Sequence, residues 1–375
     1  MKTLFYNGKI ISGGTIIEGG LLVENGIIGE IFDSPALIAA ALDASDKKID
    51  LKRNYLAPGF IDTHIHGCGG FGTDTKNPQD LLAMSEILLK QGVIAFAPTI
   101  YPANIDDMAA LLKRFSSIIG AEKGAEILGF HLEGPFISPE KLGVMKPQDI
   151  RPVNMEDAQK LYSAANGKIF SMTAAPELEN IDKLAAFAKE HNFILQAGHT
   201  NATYEQAEYG ASLGITHATH LFNAMSGLNH RAPGTAGAVL TDDRFSAEII
   251  ADGVHLAPAI VKMILMLKGP SNVILVSDSI NPAGTAKGIA NGEEVVLSGG
   301  VFKRKVDNVI AGSAASMLQS VKNLVKWGYP LEYASMAASD NPARLHNLNV
   351  GSIQKGKNAR LIILDKELNL LETII

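Results

Sequence analysis

The spacing of apolar residues changes character once along the chain. Over residues 1–53, short apolar–polar alternations run between Gly-rich turns, as in Thr3 to Ile11, Thr15 to Val23 with Asn25-Gly26 behind it, and Lys48 to Lys52. Alternation of period two between such turns predicts strands, and no long helical period is visible there. From Leu56 the pattern becomes apolar runs of strand length separated by amphipathic stretches of helical period, the signature of βαβ units and a parallel sheet. The runs fall at 56–64, 93–100, 127–133, 169–175, 193–199, 216–222, 246–252 and 272–278. Eight strands with helices between them predict a closed (β/α)8 TIM-like barrel rather than an open doubly wound sheet. Helix starts are punctuated by Asn77-Pro78, Asn104 and Asn154, and Thr203 with Gln206 reads as a capping box.

Two stretches break the rhythm. Ser226 to Gly237 is rich in Gly, Pro and Asn, and Glu293 to Ala311 carries Ser298-Gly299-Gly300 between β-like runs, which predicts an inserted hairpin. After helices expected at 313–328 and 331–340, β-like runs return at 351–353, 359–365 and 370–375. Both ends of the sequence thus predict strands, and the simplest arrangement pairs them. The expected organisation is a small β-sandwich domain from residues 1–53 and 346–375 beside a catalytic barrel spanning 54–345.

Composition narrows the functional classes. A chain of 375 residues with 46% hydrophobic and 19% charged positions is ordinary for a globular protein. The net charge of -6 and the absence of a Lys/Arg block argue against nucleic acid, and an anionic substrate would have to be caught by a few local cations. The start MKTLFYNGKI meets Asn7-Gly8 before an apolar segment can form, which predicts no secretory leader. The most apolar helix, Ala259 to Leu267, is interrupted by Lys262 and too short for a bilayer. A single cysteine, Cys68, excludes an internal disulfide and suits a reducing, cytoplasmic setting; it is read as a small packed residue.

Barrel active sites lie at the carboxyl ends of the strands. Ionisable residues at those ends are His64 and His66, Glu133, His199, His220, Asp252 with His255 beyond it, and Asp278. An isolated His-x-His is usually a chance pair in a loop. His64 and His66 instead follow Pro58-Gly-Phe-Ile-Asp at the end of the first run, two apart, so both imidazoles point the same way and offer two nitrogens to one cation. Glu133 closes a run too apolar to place a carboxylate there for solubility, and a charge at that depth needs a cation or hydrogen bonds. His131, one layer deeper, is expected to be a packed interior histidine, and His217 a structural one on the strand that ends in His220. Glu133, His199 and His220 then form a three-ligand set with a position left for water, the catalytic pattern of zinc-like ions. Asp278 ends an otherwise apolar strand. It could cap a following helix, but metal-assisted hydrolysis needs a base that takes a proton from water and returns it to the leaving nitrogen. No Ser-His-Asp order, Gly-rich nucleotide loop or HExxH motif competes.

Six segments carry a family resemblance: Pro58-Gly-Phe-Ile-Asp-Thr-His-Ile-His-Gly, His131-Leu-Glu-Gly-Pro-Phe, Ala197-Gly-His-Thr-Asn-Ala-Thr, His220-Leu-Phe-Asn-Ala-Met, Ala251-Asp-Gly-Val-His and Val276-Ser-Asp. In order along nearly the whole chain, they resemble the N-acetylglucosamine-6-phosphate deacetylases of the amidohydrolase superfamily. The resemblance implies that Glu133, His199 and His220 hold the main metal and that His64 and His66 complete a second site. One or two divalent ions (zinc, iron, manganese or cobalt) would then serve each subunit. It implies Asp278 as general base and then acid, and His255 beside the scissile carbonyl. It also implies that Asn223, the backbone of Ala224, and His230 with Arg231 contact sugar and phosphate, some of them across a homodimer. Arg231 is a sensible phosphate ligand on its own chemistry, because a planar guanidinium can bind two oxygens at once. The sequence departs from the pattern at Met145, in Gly143-Val-Met-Lys-Pro, where many members carry a histidine. A methionine donates no hydrogen bond, so recognition of the sugar is expected to differ there, and N-acetylgalactosamine 6-phosphate becomes the alternative substrate. Other amidohydrolases often use a carbamylated lysine at the end of the fourth strand; here the only lysine of that run, Lys168, stands at its start. A non-catalytic scaffold should lack a ligand or the base, and none is lacking.

Overall fold

Runs that are apolar on both faces form parallel strands only when both faces are covered. In the computed structural model, which describes residues 1–375, the barrel strands are Phe60–Ile65, Val93–Ile100, Phe130–Glu133, Ile169–Ala174, Ile194–Ala197, His217–Ala218, Ser246–Ile249 and Val273–Leu275, each pairing in parallel with the next. Backbone bonds link the last strand to the first. The Asp278 N–H donates to the His64 carbonyl at 2.9 Å, and the His66 N–H donates to the Ser279 carbonyl at 2.8 Å. The expected barrel is present, and its helices begin as the side chains dictate. Asn104 accepts from the Asp106 N–H, Asn154 from those of Glu156 and Asp157, and Thr203 and Gln206 close a capping box.

The two ends of the chain meet in one separate sheet. Its order is Leu370–Ile374, Leu361–Leu364, Tyr55–Pro58, Lys2–Ser12, Thr15–Glu24 and Ile27–Phe32, with Lys47–Asp50 also beside Lys2–Ser12. It has its own core, in which Phe5, Ile10, Leu21 and Leu56 pack against Leu361 and Ile363.

Four features differ from the sequence reading. The run 56–64 is two strands, not one: Tyr55–Pro58 belongs to the terminal sheet and Phe60–Ile65 to the barrel. Gly59 lies at the break because the chain passes so close to Ile94 that a Cβ would sit 2.2 Å from its Cγ2. Second, a helix covers Pro35–Ala44, where none is expected. Its Ala- and Leu-rich sequence has no polar stripe, so periodicity is silent, and only Ser34, which accepts from the Leu37 N–H, and Pro35 in the first turn mark it. Third, the inserted hairpin is a four-stranded antiparallel sheet, Lys287–Ala290, Glu293–Ser298, Val301–Arg304 and Ile310–Ser313. The Ser313 N–H donates to the Asp278 carbonyl at 2.9 Å, which anchors this sheet at the end of the last barrel strand. No strand forms at 351–353, and no helix is long and apolar enough to cross a membrane.

Candidate metal centre and active site

The barrel brings Glu133 and four histidines to one point. Glu133 Oε1 lies 2.9 Å from His220 Nε2, 3.1 Å from His199 Nε2 and 3.4 Å from His64 Nε2, and its Oε2 lies 3.0 Å from His66 Nε2. His64, His66 and Glu133 form one group of converging donor atoms, and Glu133, His199 and His220 a second, with the carboxylate common to both. All five side chains are buried. Burial alone would raise the Glu133 carboxyl, but the imidazoles around it, His64 first and then His199 and His220, outweigh burial and hold its pKa well below the usual range.

Tautomer logic tests whether a cation fits. His199 Nδ1 lies 2.8 Å from the Lys141 carbonyl, which can only accept, so Nδ1 carries the proton. The Nε2 of a neutral His199 therefore aims a lone pair at Glu133 Oε1, 3.1 Å away. Two acceptors at that distance need a cation between them. An outward bond from the far nitrogen is also how metal-binding imidazoles are oriented. Both ring nitrogens of His64 are buried without hydrogen-bond partners, including the Nε2 that lies 3.4 Å from Glu133 Oε1, as an uncommitted ligand would be. Imidazole and carboxylate donors suit zinc, iron, manganese or cobalt.

The backbone at this point is strained. His199, His220 and Asp278 have φ of 47°, 27° and 45°, and Phe222 and Ala224 have 76° and 48°. Left-handed conformations of non-glycine residues cost roughly 1–3 kcal/mol each and gather where a side chain must be aimed. Asp278 is mostly buried, with Oδ1 3.5 Å from His64 Nε2 and 3.6 Å from His66 Nε2. The next element is the strand Lys287–Ala290, so the helix-cap alternative for Asp278 does not apply.

Above these groups lies a cavity of about 280 Å³, lined by His66, Glu133, His199, His220, His255 and Asp278 together with Asn223, Ala224 and Met145. His255 Nδ1 lies 2.6 Å from Asp252 Oδ2, while Asp252 Oδ1 accepts from the Val254 and His255 N–H groups. Burial opposes the charge of His255, yet Asp252 overrides it and raises its pKa, so the ring stays a strong donor. Asp252 itself orients His255 and does not line the cavity. His230 and Arg231 are exposed and lie outside the cavity of their own chain.

His131 and His217 stay out of the site. His131 contacts the hydroxyls of Thr99 and Thr173, and His217 contacts Ser246 and Glu248. Glu248, on Ser246–Ile249, escaped the sequence reading. It is fully buried and accepts from Gln196 Nε2 at 3.3 Å, and its Oε2 lies 3.5 Å from His64 Nδ1. Its signal was that of Glu133, a lone carboxylate in an apolar strand, but in mid-strand rather than at the rim. Tyr101, whose ring stacks on His66 at 3.7 Å, was also missed, because an aromatic after an apolar strand reads as core.

Cys68 is buried, and that burial, with the nearby Asp62 charge, pushes its thiol up to about 12. The thiolate fraction at pH 8 is then on the order of one in ten thousand. Native protein should take up no iodoacetamide at that pH until it is unfolded; rapid stoichiometric labelling of the folded protein would contradict the inert role.

The amidohydrolase family model matches residues 55–375. The N-acetylglucosamine-6-phosphate deacetylase of Bacillus subtilis (strain 168) is 34% identical over 331 residues, covering 85% of this chain and 83% of the relative. The N-acetylgalactosamine-6-phosphate deacetylase of Escherichia coli O157:H7 is 33% identical over 322 residues, covering 84% of each. The structure of a mutant of the Mycobacterium smegmatis N-acetyl-D-glucosamine-6-phosphate deacetylase, in complex with N-acetyl-D-glucosamine-6-phosphate, superposes with a TM-score of 0.91 at 27% identity, over 100% of this chain and 97% of that one. The chain belongs to the amidohydrolase family and, within it, to the N-acetylglucosamine-6-phosphate deacetylases.

Proposed function

We propose that this protein hydrolyses the acetamide of N-acetylglucosamine 6-phosphate, giving glucosamine 6-phosphate and acetate, with N-acetylgalactosamine 6-phosphate as the second candidate substrate. One observation carries the reading: a buried carboxylate ringed by four imidazole nitrogens, with Asp278 beside it and His255 on the same cavity. Glu133, His199 and His220 would hold one divalent ion, and His64 and His66 with Glu133 a second. Such an ion, when bound, would polarise the amide carbonyl and lower the pKa of a water molecule. Asp278 takes a proton from the water that adds to the amide carbon and delivers it to the sugar nitrogen as the C–N bond breaks, because an amide anion is too poor a leaving group to depart alone. His255, held by Asp252 through Nδ1, turns Nε2 toward the acetyl carbonyl oxygen and donates to it as negative charge develops there.

The sugar and phosphate of the substrate fall to Asn223, the Ala224 backbone, His230 and Arg231. Since His230 and Arg231 stand exposed, outside their own cavity, the reading includes a cytoplasmic homodimer in which these residues serve the neighbouring subunit. A protein of net charge -6 repels a phosphosugar unless local cations reverse the field. The purified protein should therefore release acetate from the 6-phosphorylated sugar. Arg231→Ala should raise KM about tenfold or more for that substrate, and far less for unphosphorylated N-acetylglucosamine. Acetate release from neither phosphorylated epimer would end the proposal, and equal KM effects on both substrate forms would remove Arg231 from the phosphate site.

A further inference from the structure

The fourth barrel strand, Ile169–Ala174, sends no donor to the metal centre. Just past its end stands Glu177, half-buried, outside the lining of the cavity and unused by the chemistry above. Its carboxylate turns instead to the bend that carries His199. Glu177 Oε2 accepts from the Thr200 hydroxyl at 2.5 Å, and Oε1 accepts from the Asn201 N–H at 2.6 Å. Bonds to a carboxylate are the short, strong ones. Two of them, from one carboxylate to consecutive residues, fix the bend in both position and direction.

That bend needs holding. His199 has φ 47°, a left-handed backbone that persists only where the surroundings over-determine it. Thr200 is fully buried, and its hydroxyl also accepts from the Ala202 N–H at 3.0 Å, so Glu177 is tied to the whole turn behind His199. The other side-chain tie, from Asn201 to Glu140, is exposed, where water competes for it. Backbone bonds carry the bend onward to the substrate segment. The Thr200 N–H donates to the Ala224 carbonyl at 3.1 Å, and the Ser226 N–H donates to the Thr200 carbonyl at 2.9 Å.

We propose that Glu177 is a positioning residue, acting through Thr200 and Asn201 to hold His199 on the main metal site. The inference rests on Glu133, His199 and His220 being the ligands of that ion. Full-length, Zn²⁺-loaded wild type, Glu177→Ala, Glu177→Gln and Thr200→Val are each titrated with a competing chelator. Glu177→Ala should raise the Kd for Zn²⁺ by about 10–100-fold, the usual effect of losing a group that orients a metal ligand. Glu177→Gln should recover most of that loss. Its amide oxygen can accept from the Asn201 N–H, and its amide nitrogen can donate to the Thr200 hydroxyl. Thr200→Val keeps the shape and removes the hydroxyl, so it should also raise the Kd. Combined with Glu177→Ala it should do less than the product of the two single effects, because both remove the same bond. An unchanged Kd in Glu177→Ala, or in Thr200→Val should the first variant fail to fold, would overturn the assignment. So would a Glu177→Gln as weak as Glu177→Ala, which would mark a role of charge alone, or fully multiplicative effects. Wild type that binds Zn²⁺ no more tightly than His199→Ala would overturn the ligand set. That result is separate from a tight wild type matched by its Glu177 variants.

Discussion

Replacing Asp278 by Asn should leave the metal bound and the substrate captured while kcat falls by roughly 10²–10⁴, the usual contribution of a positioned general acid–base. Asn keeps the size of the side chain and much of its hydrogen bonding but cannot accept a proton. The geometry makes the test clean. Asp278 reaches within 3.5 Å of His64 Nε2 and 3.6 Å of His66 Nε2 without being one of the converging donor groups. Its unusual backbone, φ 45°, is fixed by neighbours on both sides, through the His64 carbonyl and the Ser313 N–H. Asn is among the residues that tolerate this conformation best, so the substitution adds little strain. Metal content and kcat, measured together, separate the outcomes. Near-wild-type kcat would move the base elsewhere, with His255 the next candidate. Lost metal would make Asp278 chiefly a ligand.

His199→Ala or His220→Ala should strip most of the metal, and nearly all activity with it, because a three-ligand site becomes a two-ligand one. His64→Ala should behave differently if two ions are held. The group His64, His66 and Glu133 would fail while Glu133, His199 and His220 stay whole, and about one equivalent of metal should be lost rather than all. Elemental analysis of the three purified variants against wild type reads this directly. Full metal content in both His199→Ala and His220→Ala would refute the ligand set.

The site was legible wherever chemistry interrupted an apolar strand at its carboxyl end. Glu133 and Asp278 stood out because nothing else in their runs was charged, and His64 with His66 because their spacing puts two rings on one side of a strand. The barrel was legible for the same reason, since eight apolar runs alternate with capped helices. What stayed hidden depends on contacts across the fold. Glu248 makes sense only once strands far apart in sequence bring His64, Gln196 and His217 around it. Tyr101 carries no polar signature until its hydroxyl is seen without a partner. The run 56–64 looked continuous because strands of two different sheets can follow one another through a single glycine.

That junction has a consequence for assembly order. Tyr55–Pro58 pairs with Leu361–Leu364 across a sequence separation of about three hundred residues. Closing a flexible loop of that length costs roughly 5 kcal/mol in chain entropy, before any constant term, which four residue pairs between two short strands cannot supply in an otherwise unfolded chain. Once the barrel has formed, the same segments emerge from one compact body and the effective loop is short. Barrel closure must therefore precede the pairing of Leu361–Leu364 with Tyr55–Pro58, whereas the pairings among residues 2–58 are local and need not wait for it. Until then Tyr55–Pro58 has a partner on one side only, Lys2–Ser12, and its other edge waits for a long-range pairing of the kind that slows folding and leaves an open edge in the meantime.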